Sequence, residues 1–313
     1  MKKKIKKQII DITKFAIILI ITIILVNLLF QKTILDNSLL GQEEKDLKKY
    51  GEQTKIFIMG DSHAKTALNP ATIQNSFNFA SNGENMLETY SKIKYLLEKD
   101  NYNFDTIIIP LDLHSLSSYK TARFENEEWY WKKYVNFKEA QKTNPEIDAT
   151  KRELFAKIPI LGRGDWILTA LISGKTQTAK GHIEYVNNFS NNQNKEKEVE
   201  KRTRTQFNQQ QTIDPINMNY LKEIMKLTEQ QNKKIIFIKY PVTSEYLESA
   251  KQYFDREEYY NTIQKDLTEY TNYEILDYQE IYKDQPELFS DPDHLNTAGS
   301  KKFSQQIWQD INK

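Results

Sequence analysis

The segment 55–63, read as KIFIMGDSH, constrains the fold of this chain more than any other stretch. Its apolar run IFIM is typical of a strand that is buried on both faces of a parallel sheet. The run ends at Gly60, and Asp61, Ser62 and His63 follow directly. Ligands bind at the carboxyl edge of such sheets, so we expect the serine hydroxyl to lie there. A nucleophilic serine also needs a base and a group that orients the base, and the remaining chain must supply both.

Apolar strands alternate with amphipathic helices along most of the chain. The predicted strands are 55–59, 76–80, 106–111, 234–240 and 273–277, and the predicted helices are 84–99, 217–231, 257–270 and a final helix that begins near 297. Strands joined through helices imply right-handed crossovers and a parallel sheet. We therefore expect an α/β fold, a flavodoxin-like three-layer sandwich with a five-stranded parallel sheet.

A long uncharged stretch near the N-terminus predicts one transmembrane helix. Residues 15–35 give about the 20 residues that a helical span needs. The basic segment 1–14 carries six lysines and is expected to stay in the cytoplasm. No small-x-small cleavage pattern follows the apolar run, so we favour an uncleaved anchor over a secretory signal peptide. The chain is thus predicted to be a single-pass cell-membrane protein with a polar stalk at 36–54 and an extracytoplasmic catalytic domain.

The outward-facing part, residues 55–313, is expected to be one domain that carries an insertion. Residues from about 116 to 212 fall between the third and fourth strands and are predicted to form a cap, because a connection of this length needs a function or disorder to explain it. Within it, the run 187–211 is rich in Asn, Gln, Lys and Glu. That composition predicts a mobile loop or a weakly packed helix.

Composition excludes several classes of function. Lys plus Arg number 44 and Asp plus Glu number 43, and this net charge of +1 argues against binding of nucleic acid through overall charge. The chain has no cysteine, which excludes a disulfide framework, a thiolate nucleophile and a zinc site built from cysteines.

Three of the four histidines come just after predicted strands. They are His63, His114 and His294, whereas His182 lies in the insertion and is expected on the surface. The carboxyl ends of parallel strands share one edge, so these segments should converge there. The residues expected at that edge are Ser62, Asn82, Gly83, Asp112, His114, Asp291, Asp293 and His294.

The segment Asp291-Pro292-Asp293-His294 offers a base and its orienting group. A carboxylate three residues before a histidine can accept the Nδ1 proton, which leaves Nε2 free to take a proton from a serine. The alternative is that Asp291 and Asp293 only cap a turn, because this spacing is common by chance. The Gly-Asp-Ser turn after the first strand favours catalysis.

Together these motifs resemble the SGNH, or GDSL-type, hydrolases and acyltransferases. The resemblance covers roughly 55–115 and 215–313. It implies that Ser62 is the nucleophile, that His294 is the general base and that Asp291 orients His294. It also implies that the backbone N–H groups of Ser62 and Gly83 stabilise the oxyanion.

The third block of that family usually reads Gly-x-Asn-Asp, and its asparagine completes the oxyanion hole. Here the sequence is Leu111-Asp112-Leu113-His114, so Asn82 or His114 would have to supply the missing donor. The anchored architecture resembles the branch that acylates surface polymers, such as the DltD proteins of teichoic-acid D-alanylation and the alginate O-acetylation proteins. This resemblance implies a surface polysaccharide or related polymer as substrate and a membrane-bound partner that supplies the acyl group.

We therefore expect a serine esterase or O-acyltransferase that uses no cofactor and acts on an ester-linked acyl group, most simply acetyl. Two alternatives stay open. Asp61, His63, Asp112, His114, Asp293 and His294 could form a metal-dependent hydrolase instead, because imidazole and carboxylate suit Zn, Fe or Mn. If Ser62, His294 and Asp291 form the catalytic triad, the other five residues of this set are auxiliary. The chain could also be a non-catalytic, membrane-tethered binding or scaffold protein on the same fold.

Overall fold

The computed structural model describes residues 2–121, 127–163, 180–207 and 213–313. Five parallel strands form one sheet in the order β2-β1-β3-β4-β5. The strands are β1 Ile56–Ile58, β2 Ser76–Asn78, β3 Thr106–Pro110, β4 Lys234–Lys239 and β5 Tyr273–Asp277. This order is that of flavodoxin-like folds, and the predicted fold class is confirmed.

Helices cover both faces of the sheet because side chains on the strands alternate between two apolar layers. Phe57, Ile107 and Phe237 pack into one buried cluster, and Ile58 and Ile108 pack into the other. The helices described are α1 Lys2–Thr33, α2 Leu39–Tyr50, α3 Ser62–Ala67, α4 Met86–Leu97, α5 Ser118–Thr121, α6 Glu128–Trp131, α7 Phe137–Thr143, α8 Ala149–Lys157, α9 Pro159–Arg163, α10 Lys195–Phe207, α11 Pro215–Gln230, α12 Ser244–Ala250, α13 Arg256–Asp266 and α14 Thr297–Asp310.

Local capping explains where the helices of the sandwich begin. Asn85 and Glu88 form a capping box at α4, in which each side chain accepts from the other residue's backbone N–H at 3.0 Å. Asp214 caps α11, and Pro215 follows it in the first turn. Asn296, one of the two residues predicted to cap the final helix, accepts from two backbone N–H groups of α14.

The N-terminal helix α1 is long and apolar enough to cross a membrane. Its apolar side chains from Phe15 to Val26 are largely exposed, as expected of a helix that crosses lipid there. Further along, Asn27 and Phe30 are buried, so one face of α1 packs on the domain before the helix ends.

The segment predicted as a stalk differs from that expectation. Helix α2 packs on the domain, and Glu43 and Leu47 are fully buried. The carboxylate of Glu43 accepts hydrogen bonds from Lys65 of α3 and from Tyr130 of α6. The segment is therefore not a solvated spacer. Its polar sequence includes a buried, paired charge, because an enclosed carboxylate must have a partner.

The described part of the insertion is largely helical. It contributes α5 to α10, and Trp131 of α6 and Phe137 of α7 join the core on the side of α4 and α11. The polar run expected to be a loop or a weak helix contains α10, in which Val199, Thr203 and Gln206 are buried. Residues 208–211 of that run lie outside the described residues.

Candidate active site

A tight turn after β1 brings Ser62 to the edge of the sheet. Gly60 has a φ of +102°, and a Cβ there would lie 2.3 Å from Cδ of Pro110 on β3, so a side chain would be strained and would clash. Asp61 then caps α3 by accepting from the N–H of His63 at 3.0 Å. Ser62 is therefore the first residue of α3, where backbone N–H groups have no acceptor within the helix.

Ser62, His294 and Asp291 form a hydrogen-bonded chain. Nε2 of His294 lies 2.8 Å from Oγ of Ser62, and Nδ1 of His294 lies 2.8 Å from Oδ2 of Asp291. Oδ1 of Asp291 also accepts from the backbone N–H of His294 at 2.9 Å. With Nδ1 donating to the carboxylate, Nε2 is the nitrogen that can accept the hydroxyl proton, as a nucleophilic serine requires.

Side chains of helix α10, in the insertion, contact both Asp291 and Asp293. Arg202 places Nη2 2.9 Å from Oδ2 of Asp291 and Nε 3.1 Å from Oδ1 of Asp293. Gln206, one turn later, donates to Oδ2 of Asp293 at 2.8 Å and accepts from the hydroxyl of Tyr246 at 2.6 Å. The turn that carries His294 is therefore held by side chains on the insertion.

The two aspartates set the basicity of His294. Burial alone would lower the pKa of His294, but the charges of Asp291 and Asp293 outweigh burial and raise the pKa to about 9. Oδ1 of Asp293 lies 3.4 Å from Nδ1 of His294, behind the shorter contact with Asp291. The imidazole is thus a strong proton acceptor.

His63 packs against His294, and its two ring nitrogens contact two different carboxylates. Its Nδ1 is 2.8 Å from Oδ2 of Asp112, its Nε2 is 3.3 Å from Oδ2 of Asp293, and its ring centre is 4.9 Å from that of His294. Burial would lower the pKa of His63, but Asp112 and Asp293 raise the pKa well above its usual value. Oδ1 of Asp112 accepts from the N–H of Tyr240 at 2.7 Å, so Asp112 also ties the end of β3 to the end of β4.

A second buried group joins Asp61, His114 and Lys120. Oδ2 of Asp61 accepts from Lys120 at 2.6 Å and lies 2.9 Å from Nε2 of His114. Burial would raise the pKa of Asp61, but Lys120 and His114 lower it well below its usual value. Because Nε2 of His114 contacts Asp61, that nitrogen is not available to an oxyanion at Ser62.

The turn after β2 lies beside the turn that carries Ser62. The N–H of Ser81 donates to the carbonyl of Gly60 at 2.9 Å, and Gly83 has a φ of +77°. Asn82 is exposed, and the ring centre of Tyr185 of the insertion lies 5.7 Å from that of His294. The assignment of Gly83 and Asn82 to an oxyanion hole stays a prediction.

His63, Asp293 and His294 could also hold a metal ion by proximity, since one ligand atom of each lies within 4.8 Å of the others. Yet both ring nitrogens of His63 face carboxylates, and those of His294 face Asp291 and Ser62. Arg202 already supplies a cation to Asp293. A metal ion would have to displace these contacts, so the donor set fits the metal-dependent alternative poorly.

Several residues lie in surroundings that the sequence did not predict. His182 was predicted on the surface, but this is wrong: it is buried, and its Nδ1 lies 3.1 Å from the carbonyl of Lys65. Sequence reasoning missed Arg202, Gln206 and Tyr185, which come from the insertion and carry no motif. Lys120 was missed as well, although an aspartate on a buried turn signals that a cation must be near.

No family model matches this chain, and no curated protein matches it. Among solved structures, the chain is similar to a protein from Streptococcus pneumonia that is provisionally described as a platelet activating factor. The two share 13% identity with a TM-score of 0.39, over 91% of this chain and 99% of that chain. A similarity of this size carries no information about activity.

Proposed function

We propose that this protein is a membrane-anchored serine esterase or O-acyltransferase of the SGNH type. It acts on an ester-linked acyl group, most simply acetyl, of a cell-surface glycan or related polymer outside the cell. A membrane-bound protein would supply the acyl group if the reaction is transfer. The hydrogen-bonded chain Ser62–His294–Asp291 carries the proposal, because each contact is 2.8 Å long and joins the atoms that acyl transfer needs.

The reaction follows from these contacts. Oγ of Ser62 attacks the acyl carbon while its proton passes to Nε2 of His294. The bond from the acyl carbon to the leaving alcohol then breaks, and His294 returns the proton to the alcohol oxygen. Water or an acceptor hydroxyl then attacks the acyl-serine and gives its proton to Nε2 of His294. The bond from the acyl carbon to Oγ of Ser62 breaks, and His294 returns that proton to Oγ, which restores the free serine.

Negative charge that develops on the acyl oxygen needs donors. The backbone N–H of Ser62 lies in the first turn of α3, and Gly83 and Asn82 belong to the neighbouring turn. A missing donor costs about 10²- to 10³-fold in rate in acyl transfer. The absence of the family's asparagine in the third block therefore makes Asn82 the side chain to test.

Turnover of a chromogenic acetyl ester by the full-length protein in detergent tests the proposal. Ser62→Ala and His294→Ala should each lower kcat by about a thousandfold or more, because the triad acts as a unit. Ser190→Ala, at a half-buried serine of the insertion whose hydroxyl bonds Asn188, is the matched control and should keep the wild-type rate. Rates near wild type in both triad variants would overturn the proposal.

Mass spectrometry of the quenched reaction adds a second test. An acetyl group should be found on the peptide that contains Ser62 in the wild type and should be absent in Ser62→Ala. Addition of an oligosaccharide acceptor then separates transfer, which yields acetylated sugar, from hydrolysis, which yields acetate.

A further inference from the structure

The domain contacts α1 at residues that belong to the predicted membrane span. It therefore does not stand wholly above the membrane. The uncharged run begins at Phe15, directly after Lys14. A bilayer core about 30 Å thick requires about 20 helical residues at 1.5 Å each. The hydrocarbon region therefore reaches to about Ile34.

The domain contacts α1 well before that depth. Asn27 and Phe30 are buried, and Gln31 and Ile34 on the same face are half-buried. The side chain of Asn27 donates to the carbonyl of Lys157 at 3.3 Å. The spacing from Asn27 to Ile34 corresponds to about 10 Å along the helix, so protein lies beside α1 over the last third of the span.

The segment at this depth is α8 and α9. The carbonyl of Lys157 ends α8, and α9 packs directly against α1. Of the described residues outside α1, four large apolar side chains are exposed, and two of them, Leu154 and Leu161, belong to these helices. Lys151 and Lys157, also exposed, could reach lipid phosphates while their stems stay in apolar surroundings.

A shift of the span towards the N-terminus would be costly. To free residues 27–34 from the membrane, the helix would have to place Asp11 and Lys14 in the hydrocarbon region instead. A charged side chain within the span is unfavourable, whereas Lys32 lies near the outer end and can extend its ammonium group to the interface. Burial of exposed leucines in lipid is favourable, so the deeper position of the domain is the better solution.

We propose that α8 and α9 insert into the outer leaflet beside α1 and that the domain binds lipid through Leu154 and Leu161. This inference depends on the proposed membrane anchoring and is independent of the esterase activity. The occupant of this surface is lipid, with its acyl chains and headgroups, and not a second protein. The site at Ser62 is then held at one height above the bilayer.

Single cysteines can test this, because the chain has none of its own. Leu25→Cys in α1, Leu161→Cys in α9 and Gln264→Cys on α13 are exposed positions for a polarity-sensitive fluorophore. The labelled full-length proteins are placed in vesicles of phosphatidylcholine and phosphatidylglycerol that contain nitroxide-labelled lipid. Equal melting temperatures show that each variant is folded.

Quenching by the nitroxide lipid should be several-fold stronger at Leu161→Cys and Leu25→Cys than at Gln264→Cys. If Leu161→Cys is quenched no more than Gln264→Cys while Leu25→Cys is quenched, the inference is wrong and the anchor stands. If Leu25→Cys is not quenched either, the anchoring fails and the inference fails with it. Protection at Leu161→Cys in native membranes alone would mean that a protein covers this surface, which also overturns the inference.

Discussion

Oδ2 of Asp291 receives two contacts at once, from Nη2 of Arg202 at 2.9 Å and from Nδ1 of His294 at 2.8 Å. The guanidinium and the imidazole share one carboxylate oxygen. The positive charge of Arg202 therefore offsets part of the negative charge by which Asp291 raises the pKa of His294. Arg202 touches neither Ser62 nor the reacting atoms, and it acts as a positioning residue.

Loss of this guanidinium should move the pH dependence of the reaction. Arg202→Met leaves Asp291 and Asp293 without their cation, so the pKa of His294 should rise further. At pH 7.5 kcat/KM should therefore fall about tenfold, and the profile should shift to higher pH. Arg202→Lys should restore part of the rate, and Arg204→Met, on the exposed side of α10, should behave as wild type. An unchanged profile in Arg202→Met would mean that the contact is only structural.

The wild-type rate should itself rise with pH. His294 accepts a proton only when it is neutral, and its pKa is raised to about 9 by Asp291 and Asp293 against the effect of burial. Below that pH, kcat/KM should increase about tenfold per unit and level off near pH 9. Initial rates between pH 6 and 9.5, after subtraction of spontaneous ester hydrolysis, measure this. A profile that is flat or falls across that range would contradict His294 as the base.

Glu43 should stabilise the whole domain even though it lies outside the sheet. It is fully buried and pairs with Lys65, and Lys92 lies 3.9 Å away. Glu43→Ala leaves two enclosed ammonium groups with less counter-charge and should cost about 3 to 5 kcal/mol. Denaturant unfolding of the full chain in detergent gives the value, with Glu98→Ala as an exposed control expected within about 1 kcal/mol of wild type. Equal stability of the two variants would contradict this ion-pair network.

Chelation should leave the activity unchanged. The ring nitrogens of His63 and His294 already contact carboxylates or the serine, and a metal ion would compete with Arg202 for Asp293. Prolonged dialysis against a chelator, followed by metal analysis and the acetyl-ester assay, makes the measurement. Loss of the rate that zinc or manganese restores would favour the metal-dependent hydrolase.

The sheet was predictable because its signal is local. Runs such as KIFIM and TIIIP are apolar without interruption, and the observed strands fall within one to two residues of the predicted bounds. The contact between Ser62 and His294 could be anticipated too, since parallel strands gather their carboxyl ends at one edge.

The surroundings of these residues could not be predicted in the same way. Arg202 and Gln206 lie in a polar run whose composition resembles a solvated loop, and only tertiary packing shows that one face of α10 is buried. Glu43 reads as a surface charge for the same reason. Long-range ion pairs leave no periodicity in a sequence, because either partner alone looks like a solvated side chain.

The packing of α2 has a consequence for how far the protein can act. Only Ile34, the short helical turn Leu35–Asn37 and Ser38 lie between α1 and α2, and Ser38 caps α2 at once. A flexible linker would let a tethered enzyme sweep a volume that grows with its length, but this connection gives the domain no such freedom. With α1 in a bilayer, Ser62 could not travel to a distant polymer, so the acceptor chain would have to come to the membrane surface while it is still being made or exported there.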